Sequence, residues 1–260
     1  MTQKRNSRIA KVGLIAALGV LAGVAYAQSS DMKEKERMYT YVSLWAVPRA
    51  KWAEYQKPVP SDQKILDQAI GDGTLIAYGD DFNLVHSADG YTHDQWWSSH
   101  SLAGLMKVLD AFEKSSTTTT GVITSVTKHA DLVLVSHHYN WRAGTYKGAY
   151  SHGSSYALKP TAPDDAVDIL SKSVFEPVME KLLADGSVVE YEVDEGSIHT
   201  ESPNTFWVYY VTPTAEGLDK VNAAIRATLK ADALIAPSFG SMVDFVPHRD
   251  SLDRTDAIFK

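Results

Sequence analysis

The sequence predicts an α+β fold made of two tandem βαββαβ repeats, and three observations predict it. Asp72-Gly73-Thr74-Leu75-Ile76-Ala77-Tyr78 recurs as Asp185-Gly186-Ser187-Val188-Val189-Glu190-Tyr191, and the spacing of 113 holds without gaps through Val108 and Val221. Ten of those 37 positions are identical, among them Asp81/Asp194, His86/His199 and Gly104/Gly217, where ordinary composition gives roughly two or three. Each copy also runs through the same order of strand-like and helix-like patterns. Finally, 44% hydrophobic and 22% charged residues with no Cys are an ordinary globular composition, which excludes disorder, collagen-like repeats and a disulfide scaffold.

Met38–Val47, rich in Tyr, Val and Trp, reads as the first strand. Ala50–Ile70 sets Trp52, Tyr55, Ile65, Leu66, Ala69 and Ile70 at helical spacing, interrupted by Pro58 and Pro60 and stopped by Gly71 and Gly73. Thr74–His86 and Thr92–Ser99 are strands around Asp89-Gly90, a hairpin signal. Ser101 caps an amphipathic helix over Leu102–Phe112, and Val122–Lys128 closes the unit. The second copy is expected as Asp131–Asn140, Asp164–Ala184, Ser187–His199, Thr205–Thr212, Ala215–Ala231 and Ser241–Pro247. Its start matches the first copy at an offset of 93, through Val135-Ser136 and Arg142-Ala143. That alignment leaves 144–163, rich in Gly, Tyr and Ser, as an insertion. The far ends match at an offset of 119, through His129-Ala130-Asp131 and His248-Arg249-Asp250. The expected plan is therefore a repeat over 38–130, a second over 131–250 with its insertion, and a tail over 251–260.

Residues 1–27 read as a secretory signal peptide. Lys4, Arg5, Arg8 and Lys11 precede the 13 uncharged, mostly apolar residues Val12–Val24, and Ala25-Tyr26-Ala27 is a cleavage site. Thirteen residues are too few to span a hydrocarbon core, which takes about 20. Cleavage leaves 233 residues, opening on a charged linker over 28–37, and shifts the net charge from −7 to −11. A soluble, exported protein in the periplasm or outside the cell is expected, without stable membrane insertion. Its acidity speaks against nucleic acid as a partner. The absence of Cys removes thiolate metal sites and thiol nucleophiles.

A βαββαβ unit is the ferredoxin-like motif. Two in tandem resemble the dimeric α+β barrel superfamily in its fused, duplicated form. The resemblance covers essentially the whole chain after the leader and rests on element order and repetition. It implies two sheets facing each other in one barrel-like body with helices outside, as a monomer or a homo-oligomer. It also implies two kinds of chemistry, that of small cofactor-independent monooxygenases and that of the heme-dependent chlorite dismutase and coproheme decarboxylase group. No motif calls for a cofactor, and heme enters only through the resemblance.

Strand alternation assigns the faces. Val42, Leu44 and Ala46 suit packing on helices, which turns Tyr41, Ser43 and Trp45 toward the space between the sheets, and the offset of 93 adds Ser136, His138 and Asn140. Such a lining suits an aromatic or apolar ligand and equally a filled interior. Trp97 and Tyr210, at equivalent strand positions, join it as ligand-stacking or core residues. His138 and Arg142 are the catalytic candidates, the first as a metal or heme ligand on residue type, the second as a holder of an anionic group, and both equally read as structural residues. Around an Asp89-Gly90 loop His86 falls opposite His93, about 5 Å away, close enough to share a metal ion, although no third-ligand motif accompanies them. The repeated His-x-Asp pairs suit a structural role, since one asymmetric site needs a single copy. The 144–163 segment, with Tyr146, Lys147, Tyr150, His152 and Tyr156, reads as a lid or a surface excursion. Three functions stand open: a small-molecule-binding protein with oxygenase-like chemistry, a noncatalytic envelope protein, and a heme-dependent oxidoreductase.

Overall fold

The structure, a computed structural model, describes residues 35–57, 59–86, 90–115, 123–200, 204–231 and 234–260. The leader over 1–27, most of the linker, Pro58, Asp89 and Val122 lie outside these residues. Eight antiparallel strands close into a barrel in the order β1-β3-β2-β8-β5-β7-β6-β4. They are β1 (Met38–Trp45), β2 (Ala77–Asn83), β3 (His93–Ser99), β4 (His129–Trp141), β5 (Gly144–Leu158), β6 (Glu190–Ile198), β7 (Thr205–Thr212) and β8 (Val243–Phe259). Closure leaves no sheet edge along the paired segments. No helix among the described residues is long and apolar enough to cross a membrane.

The helices sit outside. α1 (Pro60–Asp72) and α2 (Leu102–Ser115) cover the first copy. There Leu66, Ala69, Leu105, Val108 and Phe112 pack on Tyr41, Tyr78 and Trp97. In the second copy α3 (Ala166–Leu170) passes through a π-helical turn (Ser171–Phe175) into α4 (Glu176–Asp185), which packs with α5 (Ala215–Ala231) on Tyr191 and Tyr210. A short α6 (Ile235–Met242) leads into β8. Pro60 opens α1 at a position where its missing N–H is no loss. The repeated Asp-Gly pair ends α1 and α4 identically. Gly73 and Gly186 take left-handed φ of 78° and 80°, and Asp72 and Asp185 accept the backbone N–H of Thr74 and Ser187.

Several boundaries differ from the expected ones. The strand expected over 122–128 is a 3₁₀ turn at Ile123–Ser125 in its described part, and the strand that closes the first copy is β4. The stretch assigned as the first strand of the second copy is therefore the last strand of the first. The segment over 144–163 is no insertion, because most of it is β5, paired with β7 and β8 on its two sides. Its Gly and Ser content is poor in strand propensity, and a position between two strands overrides that. Residues 251–260 are no tail, since β8 runs through them to Phe259 and pairs with both β2 and β5. Finally, β2 is shorter than expected, so that Phe82, not His86, lies opposite His93.

Candidate functional site: the barrel lumen

The inner face encloses a cavity of about 250 Å³. β1 turns Thr40, Val42 and Leu44 into it, and β4 adds Leu132 and Leu134. Asp94 and Trp96 of β3 face across to Trp207 and Tyr209 of β7. Gly79 makes room for Trp96, because a Cβ there would sit 2.6 Å from the indole. Arg249 and Asp250, both exposed, stand where β8 meets the opening. An apolar strip on β1 and β4 thus lies between two acidic walls.

One wall is Asp81, Asp94 and Asp253 on β2, β3 and β8. Asp81 is buried and well supplied with donors. Ser151 Oγ donates at 2.8 Å, Trp96 Nε1 at 3.4 Å, and the Tyr209 hydroxyl also donates. The other wall is Glu190, Glu192 and Asp194, alternate residues of β6, which the strand period turns to one face. Donors are scarce there. Thr40 Oγ1 reaches Glu192 at 3.4 Å, and Asp194 Oδ1 is buried without a hydrogen-bond partner. Burial pushes all six carboxyls upward. Glu192 and Asp253 rise to about 7, for Asp253 with help from the charge of Asp81. These groups hold or release protons near neutral pH.

The residues chosen from the sequence lie almost entirely on the other face. Tyr41 stacks on Trp97 at 4.5 Å under α1 and α2. Tyr210 stacks on His152 at 5.1 Å under α4 and α5. Ser43 donates to Asp131 at 2.8 Å, and Trp45 stacks on His129 at 3.8 Å. His138 is held between Asp168 Oδ1, 2.9 Å from Nε2, and Glu176 Oε2, 3.2 Å from Nδ1. Asn140 donates to Glu180 at 2.8 Å. Arg142 donates to the Leu183 carbonyl at the end of α4, where a cation suits the helix dipole. Ser136 pairs with the inward Asp194, but its hydroxyl is used on the carbonyls of Val193 and His138, across a bulge that turns His138 outward. The aromatic face packs on helices and the carboxylate face lines the lumen, the reverse of the assignment from aliphatic content.

His86 and His93 both contact the Trp52 ring, at 4.8 and 5.4 Å. His93 is buried among Trp52, Tyr55 and Phe82, and burial lowers its pKa to about 4. Among the described residues no group of three or more His, Asp or Glu is placed to hold a metal ion. Sequence reasoning missed Asp81, Glu190, Glu192, Asp194 and Asp253. The acidic alternation Glu190-x-Glu192-x-Asp194 was the available signal.

No family model matches the sequence, and no curated relative matches it. Solved structures do. A monooxygenase candidate from Lactobacillus acidophilus superposes with a TM-score of 0.59 at 11% identity, over 86% of this chain and 97% of its own. A second monooxygenase candidate, from Fusobacterium nucleatum, gives 0.59 at 7% identity over 88% and 96%. An anthrone oxidase-like protein gives 0.50 at 11% identity over 86% and 94%. The fold is the dimeric α+β barrel. At these identities the likeness shows the fold alone.

Heme, which only the resemblance of the sequence implies, does not suit the lumen of this barrel. Among the described residues no histidine lines the cavity, and its two acidic walls oppose the propionates of a heme. His138, the histidine favoured from the sequence, has both ring nitrogens engaged by carboxylates.

Proposed function

We propose that the protein takes up a small organic molecule in the barrel lumen and acts on it with oxygenase-like chemistry that needs no cofactor. The observation that supports this reading is the placement of Asp253 in the cavity wall, buried and titrating near 7. A carboxylate poised there is suited to take a proton from an activated C–H or O–H group near neutral pH. The apolar strip of Val42, Leu44, Leu132 and Leu134 would seat the body of the ligand, with Trp96 and Trp207 to stack on it. An electron-rich anion so formed is a species that dioxygen can oxidise, in keeping with the monooxygenase candidates this chain resembles in fold.

A thermal-shift screen of the purified protein against aromatic metabolites tests the first step, because a ligand of the folded state alone must raise the melting temperature. An oxygen electrode then tests the hits for consumption of dioxygen. Val42→Trp, which fills the cavity, is expected to abolish both signals. Ligand shifts that survive Val42→Trp would sink the lumen reading.

Residues 1–27 further support the proposal that the protein is exported. Mass spectrometry of the protein recovered from the exporting cell tests it, with Gln28 expected at the N-terminus and a retained Met1 as the contrary result.

A further inference from the structure

Building on the lumen reading, we infer that the β6 wall recognises a protonated amine carried on an apolar or aromatic body. Asp194 is 1% exposed and lines the cavity, with Oδ1 lacking a hydrogen-bond partner. A buried acceptor left unsatisfied is costly, and an ammonium N–H is the donor it lacks. Its counterpart in the first repeat, Asp81, is satisfied by Ser151, Trp96 and Tyr209. The two copies have diverged at this point, one into a closed network and the other into a carboxyl pair, Glu192 and Asp194, hydrogen-bonded to each other with Asp194 Oδ1 left open.

The surroundings select the class of ligand. Among the described residues that line the cavity, Arg249 alone is a Lys or Arg, and its Nη1 donates to the His248 carbonyl. Among the described cavity-lining residues the β6 carboxylates therefore have no other cationic side chain. Glu192 and Asp194 hydrogen-bond each other through their carboxyls, while Glu190 and Asp194 are separated by about 13 Å of strand. Among the described residues no group of three or more ligands is placed to hold a metal ion, and a row of acids along one strand suits an elongated organic cation. Trp207 and Tyr209 pair directly with Asp194 and Glu192 across β7, which puts aromatic faces beside the acids for cation–π contact. Leu134 of β4 pairs with Gly196 on the other side and continues the apolar strip. Glu192 titrates near 7, so a bound ammonium would favour its ionised form and drive a proton off.

The test compares phenethylamine with its neutral isostere 2-phenylethanol, and adds spermine, on the purified protein at pH 7.5. Affinity is read by calorimetry in two buffers of different ionisation enthalpy. The amine is expected to raise the melting temperature, to bind at least tenfold more tightly than the alcohol, and to release protons. Asp194→Asn and Glu192→Gln, both isosteric, should weaken the amine tenfold or more and change the alcohol less than twofold. Equal affinity for amine and alcohol, lost in Val42→Trp, overturns the amine inference and leaves the lumen reading standing. Binding of either probe that survives Val42→Trp overturns the lumen reading as well. The inference is also overturned if neither phenethylamine nor spermine shifts the melting temperature at millimolar concentration.

Discussion

His129 stacks on Trp45 with 3.8 Å between ring centroids and 13° between planes. The contact recurs in the second repeat, where His248 stacks on Tyr156 at 4.4 Å and 12°. Ser43 donates to Asp131 beside the first pair, and Ser154 donates to Asp250 beside the second. The duplicated His-x-Asp therefore ties the closing strand of each repeat to its opening strand. Stacked aromatic pairs contribute about 0.5–1.5 kcal/mol beyond the area they bury. A double-mutant cycle on Trp45→Ala and His129→Ala, read by urea unfolding, is expected to give a coupling of that size. Additive effects would show that the stacking carries no energy.

The same contacts show what was legible in the sequence and what was not. The 113 spacing reports Asp72-Gly73 and Asp185-Gly186, which end helices, and Gly104 and Gly217, which let helices approach the sheet. Each answers to a local backbone requirement. The spacing in the outer parts depends on loop lengths, and there a chance match at 93 concealed the equivalence of β1 and β5. Facing was misjudged for a physical reason. Both faces of these strands are buried, so apolar content does not separate them as it does in a sheet with one wet face. Tyr41, Trp97 and Tyr210 lie under helices, while Asp81, Glu192 and Asp194 line the interior.

Gly104 and Gly217 occupy equivalent positions but are expected to tolerate alanine unequally. A Cβ on Gly217 would sit 2.6 Å from the Ser187 carbonyl oxygen and 2.7 Å from Thr212 Cβ. Backbone cannot step aside there, and Gly217→Ala should cost about 1–3 kcal/mol. At Gly104 the nearest atom is the Ser99 hydroxyl at 2.2 Å, which can rotate at the loss of its bond to the Thr74 carbonyl. Gly104→Ala should cost less than Gly217→Ala in chemical denaturation, and the reverse order would contradict the packing account.

The lumen carboxyls make stability depend on pH in a defined direction. Glu192 and Asp253 titrate near 7 in the folded chain and near about 4 when unfolded. Between those values the folded state binds more protons, so the slope of stability against pH is negative. Their contribution is fully present below about pH 4 and is lost as pH rises through 7. Glu192→Gln and Asp253→Asn remove the titration. Each is expected to match the parent near pH 4.5 and to melt at a higher temperature at pH 8. A constant difference from pH 4.5 to 8 would mean that the two groups titrate normally.

His138 supplies a test of facing itself. Its ring bridges Asp168 in α3 and Glu176 in α4, one on either side of the π-helical turn at Ser171–Phe175. Such turns widen a helix by a residue, and here the widening lets carboxylates eight residues apart reach one imidazole. Truncation to alanine removes the ring that both carboxylates contact, at a cost of about 1 kcal/mol since both acids are partly exposed, and removes the tie between this helical layer and the β4 bulge. Amide exchange over 166–185 should accelerate in His138→Ala, while a lumen ligand should bind with unchanged affinity because the ring lies outside the barrel wall. Loss of ligand binding with undisturbed exchange would return His138 to the pocket that the alternation of strand residues first suggested for it.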